Sequence, residues 1–257
     1  MRIGFIGTGA ISEAIITGLF RAEYDVSEII VSARSRDISS RLAERHDRVR
    51  VCEDNQDIVD AADLVFLAVL PQVAEDVLKP LRFRKTQKIA SLIATVTGDT
   101  LDEWLGSGLD ITRALPLPPV ADLRGVTSIY PHSDLLEDMF SGMGATVTAK
   151  SEEEFDVYAV ASAMMETYFG SLETAAQWFC SKGVDYANAR ACLSQLFLGL
   201  ALTAKEAPEK SFDDLRAEHT SAGGINEQMF RVFGEKDGLK ALNASLDSVY
   251  QRLKDAG

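Results

Sequence analysis

An α/β fold, with a doubly wound sheet followed by an all-helical domain, is predicted by three features of this 257-residue chain. An apolar strand at the start, Ile3-Gly4-Phe5-Ile6, runs straight into Gly7-Thr8-Gly9 and then into helix-forming residues. Apolar strands and amphipathic segments then alternate through the first half, as βαβ units require. Beyond Glu152 the strand patterns stop and long helical ones take over.

Each element follows from a local pattern. The second strand is Glu28–Ser32, followed by a helix near Asp37–Arg45, a short strand Val49–Cys52 and a helix near Asn55–Ala61. The run from Asp63 to Val69 is almost wholly apolar, as in a strand covered on both faces of a parallel sheet. Further strands are expected at Lys88–Ala94, Asp110–Ala114, Val126–Tyr130 and Ala145–Val147. Helices are expected over Phe155–Trp178, Tyr186–Lys205, Ala222–Phe233 and Leu239–Lys254. The domain boundary therefore falls near Lys150, giving a nucleotide domain over 1–150 and a helical domain over 151–257.

The opening turn carries the first functional signal. Gly7 permits a tight turn, and Gly9 lets the backbone approach a pyrophosphate without a Cβ in the way. The amides at Ala10, Ile11 and Ser12 open the following helix, where its dipole favours an anion. Ser12 holds the third small position of this Rossmann-like fingerprint. The end of the second strand selects the dinucleotide. No carboxylate lies between Ser32 and Arg36, and Asp37 suits the N-cap of the next helix. Ser32, Arg34, Ser35 and Arg36 instead form a cationic, hydroxyl-rich group suited to the 2′-phosphate of NADP.

Composition narrows the partners. With 46% hydrophobic residues the chain can build a proper core, and a net charge of −13 argues against nucleic acid or an anionic membrane as partner. Cys52, Cys180 and Cys192 are widely spaced and fit buried, reduced thiols in a cytoplasmic protein rather than a metal site. The first strand begins at residue 2, which leaves no room for a signal peptide, and no 18-residue apolar run spans a bilayer. His46 and His132 lie in polar connections and carry no functional signal. Met164, Met165, Phe169, Leu193, Phe197 and Leu200 give the helical domain an apolar face that calls for a second subunit, making a homodimer or higher homo-oligomer.

Along nearly its whole length the sequence resembles the pyrroline-5-carboxylate reductases. The resemblance rests on Ile3–Gly9 with Glu13-Ala14, Val31-Ser32-Ala33-Arg34, Asn55, the block Val65–Gln72 with Val69, Leu70 and Pro71, Arg113-Ala114-Leu115-Pro116, Thr220–Gly224 and Arg252. It implies NADPH-dependent reduction of a cyclic imine, pyrroline-5-carboxylate to proline, at a dimer interface. It also implies that Asn55 lies near the adenosine, that Val69, Leu70 and Pro71 lie beside the nicotinamide end, and that Thr220–Gly224 belongs to the substrate side. Departures concentrate there. Leu70 replaces a lysine, Leu117 an asparagine, Ser162–Tyr168 a glycine-rich loop, and Ile225-Asn226 a pair of threonines.

The residues left in that half suggest roles. Backbone amides of Gly223 and Gly224 can grip a substrate carboxylate, and Ser221 either caps the next helix or binds the ligand. Asn226 offers two donors in place of a lost hydroxyl, and His219 either is a satisfied surface histidine or supplies a proton. Glu166 either points to solvent or pairs with an iminium. Ser221, Asn226 and Glu166 are thus the catalytic candidates, with Thr220, Ser221, Gly223, Gly224 and Asn226 on the substrate. Two alternatives stay open: an NADP-binding protein with little catalysis, and a reductase for a different cyclic imine. A β-hydroxyacid dehydrogenase would need a lysine early in the helical domain, where only Lys182, with Asn188 after it, is at hand.

Overall fold

The computed structural model describes residues 1–256. Eight strands form one sheet: β1 (Arg2–Ile6), β2 (Glu28–Ser32), β3 (Val49–Cys52), β4 (Leu64–Leu67), β5 (Lys88–Ser91), β6 (Asp110–Pro116), β7 (Gly125–Tyr130) and β8 (Gly144–Thr148). Their spatial order is β3-β2-β1-β4-β5-β6-β7-β8, parallel throughout except for the antiparallel pair β6–β7. Side chains alternate between two layers. Ile3, Phe5, Val31 and Phe66 pack toward α1 (Ala10–Arg21), while Ile6, Ile30, Val65 and Leu67 face α3 (Asn55–Ala61). Both faces are covered, which is why β4 reads as an unbroken apolar run.

The remaining helices of this half are α2 (Arg36–Arg45), α4 (Pro71–Leu78), α5 (Gly98–Leu105), α6 (Asp134–Ser141) and α7 (Glu152–Ala161). Helices α4, α5 and α6 span eight residues each, too few turns to announce themselves by periodicity. Asp37 does not cap α2. Ser35 stands at that N-cap, and Asp37 lies one residue inside the first turn, where its charge still suits the dipole.

Beyond α7 come α8 (Met164–Ser181), α9 (Tyr186–Glu206), α10 (Phe212–Glu218), α11 (Ile225–Glu235) and α12 (Gly238–Ala256). The single helix expected over Phe155–Trp178 is broken at Ser162. There the Ser162 amide bonds back to the Ala159 carbonyl and its hydroxyl donates to the same oxygen, at 2.7 Å, ending α7. Two compact units result: Met1–Ser162 with the stretch from Tyr250, and Ala163–Val249. The strands end at Thr148, close to the boundary expected near Lys150, but α7 packs on β7 and so stays with the sheet.

Two smaller expectations differ. Cys192 is exposed and Cys52 and Cys180 are half-buried, so none of the three is a core thiol. His46 is not a bland connector: it ends α2 with its ring stacked on Phe20, centroids 3.9 Å apart, and its Nε2 buried without a partner. Burial, then the neighbouring Arg45 and Arg48, hold its pKa below the usual histidine value. No helix among the described residues is long and apolar enough to cross a membrane.

Candidate active site

The glycine turn is built from its own residues and two hydroxyls on either side. Gly7 has φ +98°, and a Cβ there would collide with the Ala68 carbonyl, so both conformation and space require glycine. Its amide donates to Ser32 Oγ at 3.0 Å, and buried Thr8 Oγ1 donates to the Ser32 carbonyl at 2.7 Å. Ser12 donates from Oγ to the Gly7 carbonyl at 2.8 Å. Ser32 and Ser12 are therefore braces of the loop, buried at 4% and 0% exposure, rather than free phosphate ligands. Thr8, which sequence reasoning passed over, completes the brace.

Gly9 differs. It is the N-cap of α1, with no side-chain cap, and a Cβ on it would meet nothing within 4 Å. Nothing inside the protein demands glycine at this position; the space before the free first-turn amides of Ala10, Ile11 and Ser12 does. That open cradle at a helix N-terminus fits a dinucleotide pyrophosphate.

Beside the turn lies a cavity of about 270 Å³, whose walls include Gly7, Ser32, Arg34, Arg36, Asn55 and Val69. Six residues expected at the cofactor thus share one cavity. Ser35, Leu70 and Pro71 are not on its walls. Ser35 ends its strand-to-helix link as the α2 N-cap, and Leu70 is the N-cap of α4 with Pro71 in the first turn. Leu70 is 69% exposed. Glu53, also on the cavity wall, sits 3.9 Å from Arg36 and was missed because it follows the neighbouring strand β3. Counting residues past every strand end, rather than past β2 alone, would have found it.

In the helical unit the segment before α11 is closed on itself. Helix α11 begins at Ile225, three residues later than expected, with Gly224 as N-cap. Ser221 does not cap it through its side chain; its carbonyl accepts the Gly224 amide at 2.8 Å. The Gly223 amide donates to Glu227 Oε2 at 2.6 Å, and Asn226 Nδ2 donates to the His219 carbonyl at 2.7 Å. Thr220 Oγ1 donates to the Arg216 carbonyl, and His219 Nδ1 lies 2.8 Å from that of Leu215. The donors expected to grip a carboxylate are thus already partnered. Glu227, in the first turn of α11, was legible as a capping-type glutamate and was overlooked. Glu166 stands exposed in the first turn of α8. Lys182 ends that helix with its ammonium 5.6 Å from the Trp178 ring.

The same unit carries a broad groove of about 1020 Å³, lined by apolar side chains including Phe197, Leu200, Met229, Phe230 and Phe233. No group of acidic, histidine or cysteine side chains among the described residues could hold a metal.

Comparison with known proteins covers both units. Residues 2–98 match the family described as NADP oxidoreductase coenzyme F420-dependent, and residues 152–256 match pyrroline-5-carboxylate reductase dimerisation. A protein named pyrroline-5-carboxylate reductase from Vibrio alginolyticus is 29% identical over 245 residues, covering 91% of this chain and 89% of that one. The 1-pyrroline-5-carboxylate reductase of Streptococcus pyogenes superposes with a TM-score of 0.87 at 26% identity, covering 99% and 98%. A pyrroline-5-carboxylate reductase from Coxiella burnetii gives 0.86 at 28% identity, with the same coverage. Along nearly its whole length the chain is thus similar to the pyrroline-5-carboxylate reductases.

Proposed function

We propose that this protein reduces pyrroline-5-carboxylate to proline with NADPH, as a homo-oligomer joined through its helical unit and working in the cytoplasm. The observation that carries this reading is the order of the two matches: an NADP oxidoreductase half followed by the reductase family's dimerisation half, on one chain. The local geometry supports it. The Gly9 cradle and the α1 amides suit a pyrophosphate, and Arg34 and Arg36 reach the adjoining cavity, where a 2′-phosphate would find its cations. When bound, NADPH supplies the hydride.

The chain's own task is then to hold the imine, shield it from water and favour the protonated nitrogen. Gly223 and Gly224 are partnered, so a substrate carboxylate would rely on the first-turn amides of α11 at Ile225 and Asn226, which have no intrahelical acceptor. His219, bonded through Nδ1, keeps Nε2 as its other polar atom and is the proton-donor candidate. Ser221, Asn226 and Glu166 remain candidates to be tested by substitution.

The closed segment around Glu227 favours a second reading, a protein that binds NADP and turns over pyrroline-5-carboxylate poorly or prefers an imine without a carboxylate. Following NADPH absorbance with pyrroline-5-carboxylate, pyrroline and larger cyclic imines separates the two. Faster oxidation with pyrroline-5-carboxylate than with pyrroline supports the first. Tight NADPH binding without turnover of any imine refutes it.

A further inference from the structure

We infer that Arg113 is a positioning residue, which fixes the segment Ala94–Gly98 beyond the carboxyl edge of β5 for the nicotinamide end of the cofactor. The inference rests on the NADPH reading above.

Arg113 lies on β6 in register with Ser91, the last residue of β5. Its side chain is 4% exposed. Nη2 donates to the Ala94 carbonyl at 2.8 Å, and Nη1 donates to Glu152 Oε1 at 2.7 Å. That same carboxylate oxygen accepts the Gly98 amide at 2.9 Å. One guanidinium and one carboxylate therefore hold the segment after β5 at both ends, Ala94 and Gly98. Asp156 Oδ1, at 3.3 Å from Nη2, and the Phe155 ring, 4.5 Å from the guanidinium carbon, fix the plane of the arginine.

This is a costly way to gain stability. Burying an ion pair roughly cancels its own attraction, and apolar residues of similar volume do as well or better. The cluster even leaves Arg113 Nε buried without an acceptor, which adds a further penalty. What it provides is direction: a planar fork satisfies several acceptors at set angles, which a lysine's single ammonium does not.

The position of the held segment gives that rigidity a use. Strand order reverses between β1 and β4, and in such sheets ligands lie outside the carboxyl ends at the reversal. The cavity holding Arg34, Arg36 and Glu53 is on the β2–β3 side. The opposite end of a dinucleotide laid across the Gly7–Gly9 turn then falls on the β4–β5 side, where Ala94–Thr97 is held.

The test separates the two ends of the cofactor. Dissociation constants of NADPH and of 2′,5′-ADP, a fragment that carries only the adenosine end, are measured by titration calorimetry. Wild type is compared with Arg113→Lys, Arg113→Met and Glu152→Gln, each checked for folding by thermal melting. NADPH is expected to weaken by ~10-fold in both Arg113 variants, the scale of one lost charge-assisted hydrogen bond, with 2′,5′-ADP within about twofold of wild type. Lysine failing to rescue identifies geometry rather than charge. Equal loss for both ligands, or no loss for NADPH, overturns the assignment. If Arg113→Met does not fold, Arg113→Lys and Glu152→Gln decide it on the same two ligands. Wild type binding neither ligand overturns this assignment and the cofactor reading together; wild type binding NADPH with unchanged variants overturns this assignment alone.

Discussion

The sheet unit and the helical unit dispose of apolar surface in opposite ways. The first holds two extensive clusters, one on each face of the sheet, built on side chains such as Phe5, Phe66, Ile30 and Leu67 that are wholly buried. The second has one cluster of three buried residues, Ala176, Ala189 and Leu193. Among the described residues, nineteen of the twenty-three large apolar side chains left exposed belong to the helical unit. Burying such a side chain is worth ~1.5–3 kcal/mol, while ordering the backbone costs ~1–2 kcal/mol for each residue. A unit with so small a core needs further surface to cover it, whereas the sheet unit is self-sufficient. The difference extends to polar groups: the sheet unit leaves the Gly9 cradle before α1 open, and the helical unit spends the donors before α11 on itself.

The largest expected effect breaks the helical side of this contrast. Leu200→Asp places a charge in the apolar groove. If a second copy covers that groove, an unpaired buried charge costs ~3–5 kcal/mol, or roughly two to four orders of magnitude in the dimer Kd. Sedimentation velocity at micromolar concentration should show the variant as a monomer and the parent as a dimer or larger. A monomeric parent would disprove the shared-face reading.

Arg34→Ala probes the open half. Removing a cation from the cavity beside Gly7 should weaken NADPH by ~10- to 100-fold and leave NADH nearly unchanged. Glu53→Gln, which frees Arg36 from its exposed partner, should act the other way by only ~2- to 5-fold. Equal affinity of the parent for the two cofactors would count against a phosphate pocket.

A third change sharpens the substrate side. Restoring threonine at Ile225 and Asn226, with Glu227→Ala to release the Gly223 amide, should raise kcat/KM for pyrroline-5-carboxylate by ~10-fold. Pyrroline, which has no carboxylate to grip, should gain little. A parent already as efficient as its relatives would make these substitutions neutral.

The smallest effect belongs to His46. Its native pKa lies below the unfolded value near ~6.5, so the unfolded chain takes the proton first as pH falls. Its contribution to stability is complete above that pH and is lost as pH falls through the lower native value. His46→Phe keeps the ring against Phe20 and should flatten the acid limb of Tm against pH in that window. An unaltered slope would show that other groups set it.

Local pattern alone determined much of this molecule. Strands β2 and β3 and helix α3 begin and end where alternation, apolar runs and breakers place them, because those signals act over a few neighbouring residues. The glycine turn and the two arginines after β2 were equally legible, since their backbone demands and charges are intrinsic. Tertiary structure decided what depends on residues far apart in the chain. It turned Ser32 and Ser12 into braces, brought Glu53 from the next strand to Arg36, and set Arg113 between Ala94 and Glu152. It also decided that Glu227 answers the Gly223 amide, because a donor's partner is chosen by which acceptor the folded backbone brings within about 3 Å, and sequence spacing does not contain that distance.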